Sequence, residues 1–102
     1  METTLFYNLV PSIYNTNTKV EVDRYCNSFT VVNTGTTNMT VNGVPLAPPV
    51  APALLGEAAQ FSGNKGELFI GRIDLSFTGG AGACVVTQKI YVQNSGVPVK
   101  LL

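Results

Sequence analysis

ELFIGRIDLSF (67–77), TGGAGA (78–83) and CVVTQKIYVQ (84–93) form the stretch whose reading decides the fold. Phe69, Ile73, Leu75 and Phe77 share one side of the first segment, with Gly71 in register between them. Arg72, Asp74 and Ser76 occupy the other side. In the last segment Cys84, Val86, Ile90 and Val92 alternate with Val85, Thr87, Lys89 and Gln93. Period-two alternation marks strands with one buried face. The glycine-rich connection takes positive φ without steric cost. The stretch therefore predicts the longest β-hairpin of the chain.

Upstream, KVEVDRY (19–25), SFTVVN (28–33) and NMTVN (38–42) read as further strands. Asn42-Gly43 is a strong hairpin signal, because a type I′ turn needs positive φ at both central positions. VPL (44–46) returns from it, and Pro45 predicts an edge strand or strand end. Ala59-Gln60-Phe61 reads as a short strand. TTLFYNLV (3–10) reads as a first strand or an extended arm, ended by Pro11, with apolar residues on both sides. SIYNTNT (12–18) reads as a polar loop anchored by Ile13 and Tyr14. Pro48, Pro49 and Pro52 exclude a central strand and favour extended backbone. That loop carries Val50, Leu54 and Leu55, either as a contact surface or as a lid over one end of the core. VPVKLL (97–102) is a second apolar tail.

Short strands, turn chemistry between them and no helical period predict a single all-β domain. It is a small antiparallel β-sandwich, jelly-roll or Ig-like, or a barrel, with extended termini. Residues 1–18 read as the arm or first strand, 19–93 as the sandwich and 94–102 as the tail. At 102 residues the chain makes one domain, which buries roughly two-thirds of its unfolded surface.

Charged residues make up 12% of the chain, against about 25% in typical soluble domains. The polar residues are mostly Thr and Asn. Such a surface loses little solvation when another protein covers it, and exposed strand edges with little charge favour pairing or covering in an oligomer. Net charge is zero and the six basic residues are scattered, which argues against nucleic-acid binding. No apolar run approaches a membrane span, and METTLFYNLV lacks the basic start of a signal peptide.

Catalytic chemistry is not legible. Histidine is absent, which removes the usual general base and commonest metal ligand. Cys26 and Cys84 lack zinc-finger spacing. They read as two small buried thiols, with a disulfide as the alternative that spacing does not decide. Lys65 in GNKGE does not make a phosphate loop. Glu21 and Asp23 share a strand face but lack the further oxygens calcium needs. The expectation is a protein that is not an enzyme and holds no cofactor or metal.

FTVVNTGTTNMTVNGVPLAP (29–48) followed by GNKGELFIGRIDLSFTGGAGACVVTQKIYV (63–92) resembles small virion proteins of tailed phages of Bacteroidetes hosts, the crAss-like group among them. The likeness lies in an NTGT-type turn before an NG hairpin, a Gly-Asn-x-Gly-Glu turn into a strand ending FTG, and a closing strand like VTQKIYV. PPVAPALLGEAAQ (48–60) departs from the shorter Pro-Gly-Glu connection of that pattern. The resemblance implies a structural protein of the virion, assembled in the host cytoplasm. Its expected role is an auxiliary capsid (decoration) protein on the major capsid protein lattice, as a homo-oligomer. The alternatives are a fibre-anchoring or head–tail joining protein, or a carbohydrate- or receptor-binding adhesion module. The expected contacts are Leu5, Phe6 and Tyr7 in the arm, Val50, Leu54 and Leu55 in the proline loop, and Val97, Val99, Leu101 and Leu102 in the tail.

Overall fold

The computed structural model describes residues 6–50, 56–64 and 66–92. Eight strands run in chain order: β1 (Tyr7–Thr16), β2 (Thr18–Glu21), β3 (Cys26–Asn33), β4 (Met39–Val41), β5 (Val44–Leu46), β6 (Ala58–Phe61), β7 (Arg72–Phe77) and β8 (Ala81–Tyr91). They form two antiparallel four-stranded sheets, ordered β1-β8-β3-β6 and β2-β7-β4-β5. The sheets face each other across one core and keep open edges, so the protein is a sandwich and not a closed barrel.

Strand alternation builds that core. Val20, Met39, Val41, Leu46, Ile73, Leu75 and Phe77 come from one sheet, and Cys26, Phe29, Val31, Ala59, Cys84 and Val86 from the other. Phe29 stacks on Phe61 at 4.7 Å between ring centroids and meets Phe69 edge-on at 5.0 Å. Both are favourable ring arrangements.

The hairpin expected at 67–93 does not form. β7 pairs with β2 and β4, whereas β8 pairs with β1 and β3. The connection is an arch between sheets, a 3-10 turn at Thr78–Gly80 with Gly79 at φ 78° and Gly80 at φ 85°. Each strand buries one face, Ile73-Leu75-Phe77 and Cys84-Val86-Gln88. An arch lets those two faces meet; a flat hairpin would put them side by side. The first strand segment is also shorter than expected, because residues 67–71 precede β7.

The β4–β5 hairpin matches its signal. Val41 pairs with Val44 across Asn42 (φ 50°) and Gly43 (φ 85°). Pro45 sits on β5, an edge strand.

Pro11 does not end the first strand, and 12–18 is not a loop: β1 continues to Thr16. Val92 N–H donates to the Phe6 carbonyl (2.8 Å). Antiparallel alternation then turns the even residues of β1 towards β8 and the odd ones away. Pro11 is odd, so its missing N–H costs the ladder nothing.

Three buried polar side chains tie loops to strands. Asn33 Nδ2 donates to the carbonyls of Thr37 (2.9 Å) and Leu46 (3.1 Å), and its Oδ1 accepts from Gly35 N–H (3.1 Å). This links the two sheets at the start of the β3–β4 crossing. Asn27 Nδ2 donates to the carbonyls of Asn64 and Glu67, both at 2.8 Å. Gln88 Oε1 accepts from Asp23 N–H at 2.9 Å.

Cys26 and Cys84 are free and buried. Cys26 pairs with Ile90 and Cys84 with Asn33. Their positions along β8 are therefore about 20 Å apart at the strand rise, far beyond disulfide reach.

Candidate interaction surface

Residues paired across a sheet share a face, so the register lays out the outer surface of the first sheet row by row. One row is Ile13–Val85–Val32–Ala58 and the next is Pro11–Thr87–Thr30–Gln60. A third holds Leu9, Lys89 and Ser28. Lys89 is the single charged residue in these three rows. Its ammonium lies over the Tyr7 ring, 4.4 Å from the centroid, a cation–π contact.

β1 closes this sheet on one side, and among the described residues no strand pairs with its outer edge. Its peptide groups at Tyr7, Leu9 and Ile13 face outward, with the Pro11 carbonyl between them. The sequence YNLVPSIYNT carries no charge. Tyr7 is 51% exposed, Leu9 61%, Val10 41% and Ile13 77%, with Phe6 at 44% just before the strand. Val10 belongs to the inward row with Gln88 and Phe29, yet at this margin it too meets solvent. Both faces of the edge are thus apolar and open.

Charge is arranged differently on the second sheet. Its outer side sets Lys19 opposite Asp74 and Glu21 opposite Arg72, with the Arg72–Glu21 ion pair at 3.4 Å.

Glu21 and Asp23, singled out in the sequence, have structural roles, as do Glu57 and Glu67. Glu21 pairs with Arg72. Asp23 Oδ1 accepts from Tyr25 N–H (2.9 Å). Glu57 Oε1 accepts from Ala47 N–H (2.6 Å) and Glu67 Oε1 from Asn64 N–H. Among the described residues no three His, Cys, Asp or Glu side chains come together as a metal site, and no helix is long and apolar enough to cross a membrane. Burial pushes both thiols above their ordinary pKa, Cys26 with a smaller contribution from Asp23 nearby. Cys26 Sγ–H also donates to the Ser28 carbonyl (3.2 Å).

Of the expected contact residues, Phe6 and Tyr7 lie on or beside the open edge. Val50 is 92% exposed at the end of its loop, so at this residue the loop does not fold back as a lid. Leu5, Leu54, Leu55, Val97, Val99, Leu101 and Leu102 lie outside the described residues. Leu9, Val10 and Ile13 were not singled out as contacts, and they complete the surface. The signal for them was the uncharged alternation of YNLVPSIYNT, masked by reading Pro11 as a stop.

Apart from this surface, an open cleft of about 500 Å³ is lined by Asn27, Phe61, Glu67 and Phe69 among others. No family model, curated protein or solved structure matches the chain.

Proposed function

We propose that the chain is a structural protein that works by being covered: an auxiliary capsid, or decoration, protein of a tailed-phage particle, bound to the major capsid protein lattice. The observation that carries the binding role is the run of exposed apolar residues on the uncharged β1 edge, continuous with the Ile13–Val85–Val32–Ala58 row. The virion setting rests on the sequence resemblance. Covering apolar surface contributes roughly 25 cal/mol per Å², and many copies on a lattice multiply a modest single contact. Mass spectrometry of purified particles tests the reading. A copy number matching the capsid lattice supports it; absence from particles, or a few copies per particle, overturns decoration.

An adhesion module is the second reading. The cleft lined by Phe61 and Phe69 favours it, since it sets aromatic side chains beside the polar Ser62 and Glu67. Binding on a glycan array, lost in Phe69→Ala, would select it over decoration.

A further inference from the structure

The open edge of β1 also determines what fits against it. A strand added there must offer its own free row of N–H and C=O groups, match the length of β1, and bring no charge against Leu9 and Ile13. Among the described residues the other edges fail on length or composition. β2 has four residues, two of them charged; β6 has four; β5 has three, one of them Pro45. β1 has ten, none charged. The described edge that matches β1 is β1 itself.

A strand seated on this edge would gain the backbone ladder and cross-strand contact with the flanks of Tyr7, Leu9 and Ile13, whose outer faces stay open. The net charge of zero adds no long-range repulsion between copies.

We propose that β1 pairs antiparallel with β1 of a second copy, about a two-fold axis normal to the sheet. This deepens the reading above by naming one partner of the same surface. The operation keeps both outer faces on the same side, so two four-stranded sheets become one eight-stranded sheet with a doubled, sparsely charged surface. Tyr7, Leu9 and Ile13 then gain amide partners, and the Pro11 carbonyl accepts where its nitrogen cannot donate.

Light scattering on the eluting peak and amide exchange by NMR test this together. The wild-type chain is expected to run as a dimer at micromolar concentration. Leu9→Lys with Ile13→Lys should give a monomer with an unchanged β-sheet circular dichroism spectrum, while Thr40→Lys on the other sheet leaves the dimer intact. In the dimer the Leu9 and Ile13 amides should exchange about tenfold or more slowly than in that monomer. A wild-type monomer, a dimer that survives the double substitution, or a dimer whose Leu9 and Ile13 amides stay fast each overturns the pairing. A monomer still found at lattice stoichiometry in particles would overturn the pairing and leave the proposed function standing. A dimer absent from particles would do the reverse.

Discussion

On β2 and β7, Lys19 faces Asp74 and Glu21 faces Arg72 across the outer side of one sheet. On β1, β8 and β3, the outer side of the other sheet sets Ile13, Val85 and Val32 in one row. Both sheets bury an apolar row inward, so the core does not explain the contrast. Charged side chains at β2 guard its edge against a stray strand and keep its surface hydrated. The β1 edge has one such guard, Pro11, which removes a single donor and leaves the rest of the row free. The outer side of the second sheet carries four charged residues on β2 and β7, whereas the three rows of the first carry Lys89 alone. The first is left ready for cover.

The contrast holds only while the sheets stay joined, and breaking the join should have the largest effect on stability. Asn33→Leu removes three hydrogen bonds and leaves the carbonyls of Thr37 and Leu46 without their donor. A loss of about 3 kcal/mol is expected, read as a lower urea midpoint at unchanged slope.

Charging the apolar row tests the faces directly. Val85→Lys should weaken association with particles at least tenfold, a loss of about 1.4 kcal/mol or more, while Thr40→Lys leaves it unchanged. Equal losses from both substitutions in a pelleting assay would erase the distinction between the faces.

A weaker effect comes from the core that both sheets share. Cys26 and Cys84 hold their protons above the ordinary thiol pKa because burial disfavours the thiolate. The folded state thus binds these protons more tightly than the unfolded chain does. This contribution is complete below the ordinary thiol pKa near 9 and declines as pH rises beyond it. Urea midpoints should fall from pH 8.5 to 10, and Cys26→Ala with Cys84→Ala should flatten that fall. Smallest of all is Arg72→Ala. The pair it breaks is solvent-exposed on both sides, so thermal unfolding should register no more than about 0.5 kcal/mol.

Alternation revealed most strands in the sequence, and Asn42-Gly43 revealed the β4–β5 turn. It did not reveal which sheet a strand joins. Period two fixes which residues share a face, and Ile73-Leu75-Phe77 and Cys84-Val86 satisfy a hairpin and an arch equally well. The choice is made by partners distant in sequence, β2 for β7 and β1 for β8. β1 was hard to read past residue 10 for a different reason. At an open margin neither face is fully buried, so Ile13 and Val10 are both exposed and the usual contrast between faces disappears. Proline is a reliable break only where its nitrogen would have to donate, and at Pro11 it does not.

The central claim is that the outer face of the β1-β8-β3-β6 sheet and its β1 edge are what other polypeptides cover. Hydroxyl-radical footprinting of the chain in assembled particles, compared with dilute chain, tests it most directly. The account predicts strong protection at Tyr7, Leu9, Pro11 and Ile13, with Pro45 on the opposite sheet reacting as it does in dilute solution. Protection concentrated at Pro45, with Leu9 and Ile13 still fully reactive, would contradict it.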